Sequence, residues 1–379
     1  MAAPHVAQLN FPPAPAGLGI EALLERWPSL ADIAELVASA GIRVSVLQAA
    51  SHSERLARNG VDYHFVDVDG TRTVESRGRR FADVLDGLRA DVLHAHGLGF
   101  VAETFAIAGH LSPALPVLFQ DHADRLPRWW RRARHRRCFA KAAGIAFTSI
   151  DQAQPFAAAR MFGASTRLFA IPESSSRFTP GDRARARAES GLHGDPCVLW
   201  VGRLTRGKDP LTVLDGVACA VSRLPGLQLW CAFGAAPMLA EVRARIADDA
   251  RLAGRVQLLG KVPHARIETL LRAADLFVSG SRAEGSGYAA LEALACGVTP
   301  VLTDIPAFRA LTGNGRIGHL WPCGDAARLA DELFLAATER ASPQQMRAHF
   351  DASLSFEAVG HLWADAYARV CDDWRRRAA

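Results

Sequence analysis

Short apolar runs alternate with amphipathic segments along almost the whole chain. Continuous apolar runs are typical of strands buried in a parallel sheet, and apolar residues three or four positions apart are typical of the covering helices. The alternation predicts βαβ units, an α/β fold, and helices such as Leu30–Ser39 and Phe81–Leu88. Strands are predicted near Val6–Asn10, Arg43–Gln48, Tyr63–Val66, Val92–Ala95, Val117–Phe119, Ile145–Thr148, Leu168–Ile171, Val198–Val201, Leu227–Phe233, Val256–Leu259, Leu276–Val278 and Val298–Leu302.

One polar stretch interrupts this alternation: Pro172 is followed by Glu173-Ser174-Ser175-Ser176-Arg177. The chain has 379 residues, 49% of them hydrophobic, and can therefore bury two ordinary cores. We predict a first domain over residues 1–175, a second over 176–355, and a terminal helical segment over 356–379. The segment carries apolar residues at spacings of three and four, namely Phe356, Val359, Trp363, Tyr367, Val370 and Trp374.

The composition of the chain indicates the cellular compartment in which the protein is expected. No stretch approaches 18 consecutive apolar residues, and the start of the chain lacks a basic region followed by an apolar one, so neither a membrane span nor a secretory signal is expected. The seven cysteines form no C-x-x-C pair, which favours reduced thiols over a disulfide framework or a zinc site. We therefore expect a cytoplasmic protein. The net charge of +5 is modest.

Two carboxylates stand eight positions apart in the second half. Glu284 follows an apolar run in a Gly/Ser loop, and Glu292 lies within Tyr288–Cys296, a helix-forming stretch that Gly297 should end. No residue between the two glutamates is charged. A charge in so apolar a helix costs free energy unless it is paired, holds a ligand, or faces solvent. The pattern alone leaves a ligand site and an exposed helix face as alternatives.

A second motif, G-R-L-T-R-G-K-D, runs from Gly202 to Asp209 after an apolar strand. It nearly matches the phosphate-binding P-loop G-x-x-x-x-G-K, but Asp209 stands where a magnesium-binding Ser or Thr is needed. We predict instead that Asp209 caps the helix beginning at Pro210. Arg203 and Lys208 are candidate phosphate ligands, and a solvated basic turn is the structural alternative.

The segment Gly313–Gly318 matches the dinucleotide fingerprint G-x-G-x-x-G by letters. That fingerprint requires a strand before it and a helix after it, whereas here a helix-like segment precedes and a strand-like His319-Leu320-Trp321 follows. We predict a turn and no NAD(P) site.

Three histidines follow or end strands of the first half. The ends of parallel strands are where open α/β sheets build their sites, so His96 and His122 are candidate functional residues, each with a structural role as the alternative. His94 lies inside its strand and is interpreted as buried structure.

The stretch Arg125–Arg137 contains seven arginines and two adjacent tryptophans. A helix of this composition suits an anionic membrane surface or an anionic acceptor. A solvated helix face paired with nearby Asp and Glu is the alternative. Nucleic acid is not an expected partner, because no nucleic-acid-binding motif accompanies the stretch.

The spacing of Glu284 and Glu292 resembles the E-x7-E element of retaining glycosyltransferases of family four. The segment beginning Gly202-Arg203-Leu204 likewise resembles that family's G-R-L-x-x-x-K element. The resemblance implies the GT-B architecture: two Rossmann-like domains with parallel sheets facing across a cleft, and a C-terminal helix crossing back to the first domain. It further implies a metal-independent hexosyltransferase that moves a sugar from a nucleotide diphosphate sugar to an acceptor hydroxyl with retention.

The resemblance also implies roles for individual residues. The diphosphate is held by Arg203 and Lys208 and by the backbone at Gly287 and Tyr288, the ribose by Glu292, the base by the backbone at Lys261 and Val262, and the donor sugar by Glu284 and His122. No cofactor or metal is expected, a UDP-sugar is the expected donor, and a glycan, lipid-linked or small-molecule acceptor is the expected partner. The inner membrane face is a further candidate partner.

Three other functions remain as alternatives. A sugar-nucleotide epimerase shares the architecture, and Asp121 with His122 could supply its acid and base. A non-catalytic protein would bind the nucleotide sugar without turnover. A P-loop nucleotidase would require magnesium. The chain also departs from the family in two places: Pro12-Pro13 replaces a glycine pair after the first strand, and Glu173 follows Pro172 where the family often has P-N-G-x-D.

Overall fold

The computed structural model describes residues 3–339 and 342–378. Met1 and Ala2 of the predicted first domain, Arg340 and Ala341 of the second, and Ala379 of the terminal segment lie outside the described residues. The chain divides into two compact units. Unit 1 runs to Ser174 and resumes at Phe356, and unit 2 is Ser175–Ser355.

Within the described residues, unit 1 contains an eight-stranded sheet in the order β3-β4-β2-β1-β5-β6-β7-β8. Every neighbouring pair is parallel except β3 with β4. The strands are β1 His5–Asn10, β2 Arg43–Ala50, β3 Glu54–Arg58, β4 Val61–Asp67, β5 Val92–His96, β6 Val117–Gln120, β7 Gly144–Phe147 and β8 Arg167–Ala170. The helices between them are α1 Ile20–Arg26, α2 Ser29–Ser39, α3 Val74–Asp86, α4 Val101–His110, α5 Trp129–Phe139 and α6 Gln154–Ala158.

The sheet of unit 2 has six strands in the described residues, all parallel, in the order β11-β10-β9-β12-β13-β14. The strands are β9 Cys197–Gly202, β10 Gln228–Phe233, β11 Val256–Gly260, β12 Leu276–Ser279, β13 Thr299–Thr303 and β14 His319–Trp321. The helices are α7 Arg183–Ser190, α8 Pro210–Ala220, α9 Leu239–Ala247, α10 His264–Ala273, α11 Tyr288–Ala295, α12 Pro306–Thr312, α13 Ala326–Thr338 and α14 Pro343–Ser353. The last helix, α15 Phe356–Ala378, belongs to unit 1.

Each sheet is apolar on both faces because helices cover both. In β1, Val6 packs into the core under α1, α2 and α15, while its neighbour Ala7 packs into the opposite core under α3 and α4. Val198 and Leu199 of β9 divide in the same way between the two cores of unit 2. Successive strand residues point to opposite faces, so a strand buried on both sides reads as a continuous apolar run. This is why the sequence pattern predicted these strands correctly.

The terminal helix α15 packs on the sheet of unit 1 through its apolar stripe. Val359, Trp363, Tyr367 and Val370 are fully buried there. The Tyr367 hydroxyl lies 2.7 Å from Nδ1 of His94, a contact that spans 273 residues of sequence and pairs the hydroxyl with one nitrogen of the imidazole. The prediction that His94 is buried structure is confirmed.

Three local details differ from the sequence-based expectation. Strand β3 was missed because Glu54–Arg58 alternates half-buried with exposed residues at the edge of the sheet and has no apolar run. Helix α3 begins at Val74, ahead of the predicted Phe81, because Thr73 and Ser76 form a capping box there. Asp209 is in the left-handed conformation (φ 45°), and its side chain does not cap α8. The turn at Gly313–Gly318 lies between α12 and β14, as predicted.

Candidate functional site

A cavity of about 440 Å³ opens at the centre of the sheet of unit 2. From β9 the sheet continues outward through β10 and β11 on one side and through β12, β13 and β14 on the other. Open α/β sheets bind ligands at such a reversal, outside the carboxyl ends of the strands. The cavity lies there, and it is lined by Val201, Gly202, Arg203, Lys208, His264, Phe277, Ser279, Glu284, Gly287, Tyr288, Ala289, Ala290, Glu292 and Phe308.

The loops after β9 and β12 form one wall of the cavity and are joined to each other. A Cβ on Gly280 would lie 3.0 Å from the carbonyl oxygen of Asp209, so only glycine permits this approach. The backbone amide of Arg282 donates to the Gly207 oxygen at 2.9 Å, and its guanidinium donates to Asp209 at 2.6 Å. Asp209 therefore holds the two loops together, which is the role it has in place of capping α8.

Lys208 and Glu284 meet in the cavity as an ion pair. Their side chains are 22% and 14% exposed, so the pair is largely withdrawn from water yet open to the cavity. Such a pair offers a ligand one fixed cation and one fixed carboxylate side by side. Arg203, also predicted as a phosphate ligand, lies exposed at the cavity edge.

Glu292 projects from α11 and is 12% exposed. Its Oε1 lies 2.6 Å from Nε2 of His264, whose ring stacks on Phe178 at 5.1 Å between centroids. Burial raises the pKa of Glu292, and the hydrogen bond and charge of His264 act against that rise. His264 was not predicted from the sequence: it stands 28 positions from Glu292, and no local pattern links them.

The helix α11 begins at the cavity. Gly287, just before the helix, has φ 67°, and a Cβ there would lie 2.5 Å from Cε1 of Phe308. A larger residue is excluded on both grounds, and glycine offers no side chain to cap the helix. The first turn of a helix presents amide hydrogens and the positive end of the helix dipole, which suits an anion. Gly287 and Tyr288, predicted to face a diphosphate, both line the cavity.

Lys261 and Val262 lie between β11 and α10, immediately before Pro263 and His264. Neither lines the cavity described above; Lys261 is exposed and Val262 is half-buried.

In unit 1, His96 ends β5 and His122 follows β6, and their rings come together. Nδ1 of His96 lies 3.1 Å from Nε2 of His122, and the His122 Nδ1 lies 2.5 Å from Oε1 of Glu173. Asp124 orders the two loops by accepting the backbone amide of Leu98 at 2.7 Å and that of His122 at 3.3 Å. The sequence predicted both histidines but not their contact with Glu173.

The basic stretch forms α5 and the loop before it. Trp129 and Trp130 are 75% and 55% exposed, and the Arg128 guanidinium lies 5.3 Å from the Trp130 ring centroid. In the described part of the chain, none of the seven arginines between Arg125 and Arg137 forms an ion pair with a carboxylate. The helix face is solvent-exposed, as the alternative interpretation predicted, but the pairing with nearby acids is not found among the described residues. Among the described residues, no helix combines the length and apolarity that crossing a bilayer requires.

Comparison with known proteins identifies the domain that carries the cavity. Residues 182–350 match the family model "Glycosyl transferases group 1". Two similar curated proteins are both D-inositol 3-phosphate glycosyltransferases. The one from Mycobacteroides abscessus is 30% identical over 203 residues, covering 52% of this chain and 45% of that protein. The one from Mycobacterium bovis is 34% identical over 163 residues, covering 41% and 32%. The matches thus span less than half of these relatives.

Solved structures resemble the chain over almost its full length. A glycosyltransferase from Rickettsia africae has a TM-score of 0.75 at 12% identity, covering 98% of this chain and 99% of that one. Anabaena Alr3699/HepE in complex with UDP has a TM-score of 0.69 at 18% identity, covering 96% and 99%. Sucrose-phosphate synthase from Thermosynechococcus elongatus has a TM-score of 0.67 at 17% identity, covering 97% and 99%.

These matches confirm the family that the motifs around Glu284 and Lys208 predicted. Residues 182–350, which make up most of unit 2, match the group 1 glycosyl transferases, and the chain has the GT-B fold.

Proposed function

We propose that the chain transfers a sugar from a nucleotide diphosphate sugar to an acceptor hydroxyl, with retention at the anomeric carbon and without a metal. One observation carries the proposal: Arg203, Lys208, Glu284 and Glu292, which come from two separate motifs, line a single cavity at the strand ends of a group 1 glycosyl transferase domain. Two cations and two carboxylates in one cavity match a ligand with an anionic diphosphate between two hydroxyl-bearing rings.

The diphosphate is assigned to Arg203, Lys208 and the start of α11. When the sugar–phosphate bond breaks, about one further negative charge develops on the departing diphosphate, and fixed cations and amide dipoles stabilise it. Arg203 offers a forked set of donors, and Lys208 a compact charge. In the proposal these protein groups take the part that a metal ion plays in metal-dependent transferases.

The hydroxyl groups are assigned to the two glutamates. Glu292 would accept hydrogen bonds from the ribose, and Glu284, oriented by Lys208, from the donor sugar. The base would meet the backbone at Lys261 and Val262. A UDP-sugar is the proposed donor, which is supported by the solved structures of Anabaena Alr3699/HepE with UDP and with UDP-glucose.

The proposed reaction is a front-face displacement. The bond between the anomeric carbon and the phosphate oxygen breaks, and the acceptor oxygen bonds to that carbon on the same face. The acceptor proton passes to the departing phosphate oxygen, so no protein nucleophile is required. His122 is assigned a place beside the donor sugar, as the family resemblance implies.

A phosphorylated polyol or sugar is the proposed acceptor class, since the similar proteins are named for D-inositol 3-phosphate and for sucrose-phosphate and trehalose-phosphate synthesis. We assign the reaction to the cytoplasm, an assignment supported by seven cysteines that are all free thiols. Contact with the inner membrane face through Arg125–Arg137 is part of the proposal, and it is supported by the exposed tryptophans and unpaired arginines of that stretch.

The test is made in two stages. Melting temperature is measured with UDP-, GDP-, ADP- and TDP-sugars, because a bound ligand stabilises the folded chain by mass action. The donor so identified is then incubated with D-inositol 3-phosphate or glucose 6-phosphate, with and without EDTA, and the anomeric configuration of the product is read by NMR. An inverted product would contradict retention, and loss of transfer with EDTA would contradict metal independence. Donor turnover without any acceptor would indicate an epimerase.

Variants test the assigned residues. Lys208→Ala and Glu284→Ala should each lower kcat/KM by about 10²–10³-fold, the scale seen when one charge-stabilising group is removed. Arg206→Ala is the matched control, because Arg206 is exposed in the same loop and does not line the cavity. Activity within about tenfold of the parent in both test variants would refute their roles.

A further inference from the structure

Glu173 makes a contact that neither the motifs nor the family resemblance assigns. It follows Pro172 at the end of unit 1, where the family often has a different sequence, and its carboxylate reaches back 51 positions to His122. Oε1 of Glu173 lies 2.5 Å from Nδ1 of His122, with the two side chains 18% and 33% exposed. The pair is therefore partly shielded from solvent.

The second nitrogen of His122 also has a partner within hydrogen-bond distance. Its Nε2 lies 3.1 Å from Nδ1 of His96, and the two rings stack at 5.4 Å between centroids. Burial, together with the neighbouring His94 and His122, lowers the pKa of His96 well below its ordinary value, so His96 is neutral. A neutral His96 can accept at Nδ1. In the His96 tautomer whose Nδ1 accepts, His122 donates from both nitrogens, to a carboxylate and to an imidazole, which only the protonated ring can do; in the other tautomer a neutral His122 donates to Glu173 alone.

The charges around His122 support this protonation state. Burial by itself lowers the pKa of His122, but the hydrogen bond and charge of Glu173 and the charges of Asp124 and Asp121 outweigh it, so the pKa of His122 is raised overall. Burial also raises the pKa of Asp121 to about 6, so Asp121 supplies its charge only above that pH. His96 stacks on the His122 ring and His94 stacks on His96, and burial lowers the pKa of both.

We propose that Glu173 is a positioning residue for the transfer reaction, holding His122 in one orientation as a cation. This inference rests on the proposed function, because the protonated His122 has a role in catalysis only if the chain carries out the proposed sugar transfer. A carboxylate that only joined two loops would leave the reactivity of His122 unchanged, so the two roles can be separated by titration.

The experiment compares the parent with Glu173→Gln in the full chain. Glutamine keeps the shape and an acceptor oxygen but removes the charge. Histidine side-chain NMR, with the His122 signal assigned through His122→Gln, should show that the pKa of His122 falls by about one pH unit or more. The alkaline decline in the kcat–pH profile should shift to lower pH by the same amount. At a pH above both pKa values, kcat should then fall about tenfold for each pH unit by which the His122 pKa falls, with the donor KM changed much less.

Two variants serve as controls. Glu75→Gln, which alters a His–Glu pair with His110 elsewhere in unit 1, should change neither measurement. In a His122→Gln background, Glu173→Gln should cost no further activity. An unchanged His122 titration, or a titration that moves while the kcat profile stays fixed, would overturn the inference in an active enzyme. A parent that transfers no sugar would instead overturn the proposed function, and the NMR measurement would still report whether Glu173 holds the cation.

Discussion

At the residue scale, the contact between His264 and Glu292 sets the state of the proposed ribose ligand. A carboxylate accepts hydrogen bonds from two hydroxyls better when it is ionised, and burial alone disfavours that state. His264, at 2.6 Å, favours it. In the proposed function, His264 therefore contributes to donor binding indirectly, by keeping Glu292 ionised.

We therefore expect His264→Ala to weaken nucleotide binding mainly in acid. Without His264 the pKa of Glu292 rises further, so Glu292 becomes protonated at a higher pH. The acidic decline in nucleotide affinity should therefore begin at a higher pH. The dissociation constant of the matching nucleoside diphosphate, measured by calorimetry, should increase several-fold at pH 6 and much less at pH 8. His193→Ala is the control, because His193 is an exposed histidine of unit 2 outside the cavity. An equal loss at both pH values would contradict the electrostatic role.

Whether a site residue could be predicted depends on how far along the chain its partner lies. Arg203 with Lys208, and Glu284 with Glu292, stand within short motifs whose spacing was enough to predict them. His264 and Glu173 were missed because each acts on a partner 28 or 51 positions away, and only the folded chain brings them together. Asp209 was misassigned for the same reason, since its partner Arg282 lies 73 positions along the chain.

At the element scale, the parallel strands were predictable because burial on both faces demands continuous apolar runs. The edge strand β3 was not, since an exposed edge favours charged residues over an apolar run. The helix α5 is a third case. Its composition indicated a helix, but only the structure shows that no carboxylate among the described residues forms an ion pair with its arginines and that both tryptophans face solvent.

From this arrangement we expect α5 to bind anionic vesicles. Arg131→Glu with Arg134→Glu should reduce sedimentation with phosphatidylglycerol vesicles at least about tenfold, because each arginine near such a surface contributes about 1 kcal/mol. Both residues are exposed, whereas Arg132 donates to the Pro127 oxygen and is better left in place. Arg79→Glu with Arg80→Glu, an exposed pair on α3, makes the same change in net charge and is the control. Equal losses in both variants, or a parent that binds no vesicles, would refute the membrane contact.

At the scale of the whole molecule, buried histidines distinguish unit 1 from unit 2. The pKa values of His5, His64, His94 and His96 are all lowered, each chiefly by burial, and the four residues lie on β1, β4 and β5 of the first sheet. In unit 2 burial raises the pKa of the Glu292 carboxyl, and His264 opposes that rise. Lowered histidine pKa values and a raised carboxyl pKa have opposite consequences in acid.

Unit 1 should accordingly lose stability before unit 2 as the pH falls. A histidine whose folded pKa is lowered gives its full contribution above about pH 6.5, and that contribution is lost on acidification because the unfolded chain binds the proton more tightly. For His94, with a folded pKa of about 3, the loss between pH 6.5 and 4.5 is about 2 kcal/mol. The raised pKa values of Asp121 in unit 1 and Glu292 in unit 2 have the opposite effect: each carboxyl group contributes stability to its unit when it becomes protonated in acid.

Hydrogen exchange measured by mass spectrometry at pH 7.0 and 4.5, corrected for the intrinsic rates, distinguishes the units. Peptides from β1, β2 and β5 should lose protection at pH 4.5 while those from β9 and β12 keep theirs. His94→Gln removes one titrating group and should reduce the acid loss in unit 1 by about 2.5 kcal/mol, although it lowers stability at neutral pH through the altered contact with Tyr367. If the sheet of unit 2 lost protection first, or if His94→Gln left the pH dependence unchanged, the buried neutral histidines would not be the cause of the loss of stability in acid.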